Sequence, residues 1–129
     1  MQKLVLVARI LLGLIFVVFS TNYFFGFFEM PPMSPEGGQF IGAIIGTGYL
    51  FTFMKIVELL AGILLLAGKL VPLALTVLAP IILNIFLFHI FLDPGGLIMG
   101  LLLLALELFL AYSYRGSFAA ILNPSAQPS

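Results

Sequence analysis

Long apolar runs separated by short polar breaks set the pattern of the chain. The first run extends from Leu4 to Phe25, a later one from Leu70 to Leu92, and the last from Gly96 to Tyr114. Each has the roughly 20 mainly apolar residues that a membrane-spanning helix needs. Between the first two lies an apolar stretch from Phe40 to Gly68, too long for one span. Gly37, Gly38, Gly42, Gly46 and Gly48 crowd its beginning, and no further glycine follows until Gly62. The stretch therefore divides at Gly46-Thr47-Gly48. Its second part, 49–68, is a span closed by Gly68 as a C-terminal glycine. Its first part, 35–46, is a short interfacial or re-entrant helix, with Ser34 as N-cap, Pro35 at the first helical position and Glu36 near the positive dipole end.

Proline marks the third span, 70–92, twice. Pro72 suits a first turn, whereas Pro80 lies mid-helix, where it removes a donor and crowds the carbonyl of Thr76. Membrane helices tolerate such a kink when neighbours satisfy the freed carbonyl. Asp93-Pro94-Gly95-Gly96 is a tight turn by composition, and the fourth span is 96–114. The pattern predicts an all-α fold: one transmembrane domain over 1–129, a four-helix bundle with one extra short helix.

Composition explains why the solvent must be lipid. Of 129 residues, 63% are hydrophobic and 8% charged, against roughly 25% charged in soluble domains. Net charge is zero, which gives no pull toward nucleic acid. No cysteine is present, which removes disulfides, thiolate metal sites, iron–sulfur ligation and dithiol redox chemistry. One histidine without cysteine makes a closed zinc site improbable, so no metal is expected; Met30 and Met33 among prolines read as ordinary loop residues. The first run leads into bulky aromatics rather than a small-residue cleavage site, so it reads as a retained helix.

Basic residues predict the orientation. Lys3 and Arg9, Lys69 and Arg115 fall on one side if the helices alternate. The other side carries Glu29, Glu36 and Asp93 without Lys or Arg. Both termini are expected in the cytoplasm, and the chain in the cell's inner (plasma) membrane.

Ionisable residues inside a span are costly and point to function. Arg9 and Glu107 lie at similar depth, about 8 to 10 Å from the cytoplasmic side, and are expected to form a structural ion pair. Lys55 and Glu58, three apart on one face of the second span, occupy the outer half with Gly62 on the same stripe. Asn84, His89 and Asn22 fall in the same slab. Asn84 is expected to face Glu58, with His89 nearer the outer surface. Full convergence is not dictated, because Asn84 and His89 are about 140° apart around their helix. Each also has a plainer reading: Lys55 as counter-ion to Glu58, Asn84 as partner of backbone freed by Pro80, His89 and Asn22 as interfacial residues.

Several segments together resemble the DoxX family of small membrane proteins, over nearly the whole chain. They are LLGLIF, PPMSPEGGQFIGAIIGTGYLF, KIVELLAGILLLAGKLVPLAL, LAPIILNIFLFHIFLDPGGL and LALELFLAYSYR. Their order, with KxxE, NxxxxHxxxDP and ALEL in place, carries the resemblance more than any one string. It implies a four-helix bundle and an association with respiratory quinol chemistry. It carries over Asn22, Lys55, Glu58, Asn84, His89 and Glu107 as intramembrane positions, with Asp93 at the outer turn. The thiol-dependent relatives need cysteines that this chain lacks.

Three readings follow. The first is a quinone-linked or redox-associated membrane subunit, with Lys55 and His89 as donors and Glu58 as proton acceptor in an outer-half pocket. The chain supplies no redox centre of its own, so the cofactor expectation is none intrinsic, with a bound quinone or lipid. The second is a non-catalytic accessory subunit of a larger membrane complex. The third is a small-molecule or ion carrier acting as a homo-oligomer, although four spans without an inverted repeat argue against it. No sequence feature assigns an enzymatic reaction.

Overall fold

The computed structural model describes residues 1–129, as helices and turns without a strand. Helix α1 spans Gln2–Phe25, α2 Pro35–Gly46, α3 Leu50–Ala67 and α4 Val71–Phe91. A 3₁₀ turn, Pro94–Gly96, leads into α5, Leu97–Ser113, and a single helical turn, α6, covers Arg115–Phe118. Four of these are long and apolar enough to cross a membrane: α1, α3, α4, and α5 together with the turn before it. The protein is thus an all-helical, multi-pass membrane bundle. An even number of crossings puts both termini at one end, called proximal below; the opposite end is distal.

The helix ends follow local chemistry. Ser34 Oγ accepts from Gly37 N at 3.1 Å and caps α2, with Pro35 and Glu36 in its first turn as the sequence predicts. At the end of α3, Gly68 adopts φ 69°, and two residues later Leu70 adopts φ 51°. A left-handed leucine costs roughly 1–2 kcal/mol, so the tight α3–α4 turn is held by the packing of the two helices it joins. Pro80 does not interrupt α4. It lies on the exposed face, and the hydroxyl of nearby Thr76 donates to Pro72 O at 2.8 Å.

Packing is that of a bundle in lipid. Only 20 of 129 residues are buried, while Leu4, Val7, Leu14, Phe53, Leu60 and Ile98 stand exposed. An apolar surface on that scale has no place in water. Helices α1 and α3 pack most closely, α4 pairs with α5, and α1–α5 and α3–α4 contacts close the ring. Leu12, Leu65, Leu75, Leu78, Ile82 and Leu110 fill its centre.

One close approach fixes the α1–α3 register. A Cβ built on Gly13 would lie 2.9 Å from Gly62 O, and one built on Gly62 would lie 3.0 Å from Gly13 O. Small residues at such a crossing let membrane helices meet backbone to backbone, where dispersion and weak polar contacts replace the missing hydrophobic drive.

Candidate functional site

The Gly13–Gly62 crossing determines which polar residues share a level. The helices run antiparallel, so seven residues onward from Gly13, at Ser20, and seven residues back from Gly62, at Lys55, the chain reaches the same height. That height is about 10 Å beyond the crossing, toward the distal end. Glu58 lies one helical turn from Gly62, on the buried face of α3.

Lys55 Nζ stands 3.4 Å from Glu58 Oε1. Glu58 is 3% exposed, whereas the Lys55 side chain retains some access to the surroundings at 17%. A tight ammonium–carboxylate hydrogen bond is about 2.7–2.9 Å, so this pair is in contact without being locked. The ammonium also lies 5.2 Å from the centroid of the Phe51 ring, within cation–π range. Tyr23 packs edge-on against Phe51 at 5.1 Å, and its hydroxyl shares a 2.8 Å hydrogen bond with Thr52 Oγ1. Ser20 is fully buried, and its Oγ has no hydrogen-bond partner. An unmet hydroxyl in such a place costs about 1–3 kcal/mol. Lys55 and Glu58, with Phe51 beside the ammonium and Ser20 at the height of Lys55, are the polar centre of the distal half.

The other expected members go elsewhere. Asn84 does not face Glu58. It is two residues past the fully buried Ile82, about 200° around the helix, and stands exposed with no hydrogen-bond partner. His89, seven residues past Ile82, returns to the inward face. Its Nδ1 lies 3.0 Å from Asp93 O and 3.7 Å from Asp93 Oδ2. The ring covers Gly96, where any Cβ would strike it, and lies beside Gly100. Asp93 Oδ1 in turn accepts from Ser34 N at 3.1 Å, and Ser34 Oγ donates to Leu92 O. His89, Asp93 and Ser34 form a latch that ties the start of α2 to the α4–α5 turn. Gly37 is buried under Phe88 and Asp93, and the Phe40 and Phe88 rings lie 5.6 Å apart, which completes that seam. Asn22 is buried, and its Oδ1 accepts from Phe28 N at 2.8 Å. It shapes the turn after α1, where Gly26 takes φ 66°.

The expected Arg9–Glu107 ion pair is not formed. Arg9 Nη1 donates to Leu65 O at 2.7 Å, and the guanidinium lies over Gly68, where any Cβ would collide with it. Carbonyls at a helix C-terminus carry negative partial charge and attract a cation. The nearby end of α3 thus captures Arg9. Glu107 is 6% exposed, and its Oε1 has no partner.

Ser20 and the Ser34–Asp93 contact are absent from the candidate set that residue cost alone gives. The shared seven-residue spacing, Gly13 to Ser20 and Lys55 to Gly62, is the signal that exposes the first. The second has no local signal, since 59 residues separate its partners.

Compared with family models, with curated proteins and with solved structures, the chain matches none.

Proposed function

We propose that this membrane protein binds the polar headgroup of a lipid-soluble ligand of the isoprenoid quinone type, at Lys55, Glu58 and Ser20. The observation that carries the reading is the Lys55–Glu58 pair itself. Two charges are kept in the distal half of a bundle that needs neither to fold. A quinone carbonyl would accept from the Lys55 ammonium, and a quinol hydroxyl would donate to the Glu58 carboxylate. The Ser20 hydroxyl offers a further bond. Phe51 and Tyr23 suit a flat ring. The resemblance to DoxX proteins adds weight to quinol-linked chemistry. Electrons would pass to a partner protein, because this chain carries no redox centre.

The test is binding of a short-chain benzoquinone to the purified protein in detergent, followed by calorimetry. Glu58→Gln and Lys55→Met are expected to weaken binding about tenfold each, as loss of a hydrogen bond to a charged group does. Unchanged affinity in both folded variants rejects the reading.

A second reading, as subunit of a larger assembly, rests on a different observation. Asn84 exposes an unpartnered amide to hydrocarbon, and such a group commonly bonds across to another helix. If that reading holds, Asn84→Leu shifts the assembly toward smaller species in sedimentation; an unchanged distribution counts against it. The basic residues also support cytoplasmic termini. Cysteine placed singly at Ser34 or Ser125 tests this: labelling of Ser34→Cys only from the cytoplasmic side reverses the topology.

A further inference from the structure

The displaced Arg9 leaves a site at the proximal end that the distal cluster does not involve. An open groove of about 350 Å³ is lined by Gln2, Val5, Leu6, Arg9, Gly68 and Tyr114, among others. Arg9 has no carboxylate within ion-pair distance. One of its five N–H donors is spent on Leu65 O. The remainder form no hydrogen bond within the chain, and neither does the Tyr114 hydroxyl. Gly68 leaves the guanidinium room to lie flat. A planar, permanently charged fork is suited to bidentate binding of a phosphate.

An open, wholly apolar face of α1 continues from this groove. It is formed by Leu6, Val7, Ile10, Leu11 and Leu14, and Leu6 is common to both. Leu6, Ile10 and Leu14 follow one another at four-residue intervals, so they form a strip along α1 from the headgroup level toward the middle of the bundle. The strip is exposed. A charged cradle toward the proximal end, joined to an open apolar helix face that runs toward the middle of the bundle, has the chemistry of one class of ligand.

We infer that Arg9 and Tyr114 hold the phosphate of an anionic phospholipid, with one acyl chain laid along Leu6, Ile10 and Leu14. Basic pockets between transmembrane helices take lipid headgroups in this way. The bound lipid brings a negative charge to the one intramembrane cation that has no acidic partner. It also fills the space between the proximal ends of α1, α3 and α5.

Native mass spectrometry of the full chain in mild detergent tests this, with phosphatidylglycerol and phosphatidylcholine of identical chains at equal concentration. The wild type is expected to retain phosphatidylglycerol about fivefold better, and Arg9→Gln to lose that preference. Ile10→Trp covers the apolar face, leaves Arg9 intact and sits on the exposed surface, where it is expected not to disturb folding. It is expected to reduce retention of phosphatidylglycerol severalfold. Excess inorganic phosphate is expected not to displace the lipid; displacement would assign the cradle to a free anion and overturn the lipid. Equal retention of the two lipids by wild type, an undiminished preference in Arg9→Gln, or full retention in Ile10→Trp each overturns the inference.

Discussion

Gly13 and Gly62 meet backbone to backbone where α1 crosses α3, each carbonyl oxygen lying only 2.9–3.0 Å from where the other's Cβ would be. The nearest neighbour of an added methyl is therefore a main-chain oxygen, which cannot turn aside as a long side chain would. Gly13→Ala and Gly62→Ala are each expected to destabilise the bundle by about 1–3 kcal/mol through overpacking. Unfolding in mixed detergent micelles measures it. Stability equal to wild type in both variants would mean the helices do not cross at these residues.

Lys55 and Glu58 should be coupled. Removing Lys55 leaves the buried Glu58 carboxylate without its counter-ion, at about 3 kcal/mol, whereas removing both charges is milder or neutral. A double-mutant cycle with Lys55→Leu and Glu58→Leu reads the coupling directly. Additive losses would sink the pairing.

Arg9 and Glu107 should behave oppositely. They share no contact within ion-pair distance, so the losses from Arg9→Leu and Glu107→Leu are expected to add within about 0.5 kcal/mol. Glu107→Gln, which preserves shape, is expected to leave the fold intact. A coupling above about 1 kcal/mol would restore the ion pair that their matching depths suggest.

The Ser34–Asp93–His89 latch should govern α2 and little else. Ser34→Ala removes both the cap of α2 and the bond to Leu92 O, and Asp93→Ala removes the acceptor for Ser34 N. Each is expected to cost about 1–2 kcal/mol locally. Hydrogen exchange should show faster amides at residues 37–40, with the cores of α1, α3 and α5 unchanged. Global loss of protection would mean that α2 is part of the bundle core instead.

The spans, the short helix from Pro35 and the glycine stop at Gly68 were legible in the sequence because their causes are local. Apolar run length, N-cap and proline chemistry, and the freedom of glycine at positive φ act within a few residues. The cost of burying Glu58 and Glu107 was also legible, since it depends on residue type and depth. Partner choice was not. Arg9 and Glu107 match in depth, yet a carbonyl at the end of α3 lies nearer to the guanidinium than the carboxylate does. Asn84 and His89 are 140° apart, so only one could turn inward. The packing of α4 against α5 chose His89, whose ring fits over Gly96. Ser20 became part of the distal cluster only through the Gly13–Gly62 crossing, and Ser34 found Asp93 only when the chain had folded back on itself. Sequence determined which groups must be buried or capped. Rotation and register between helices, set by the whole packed surface, decided what each of them meets.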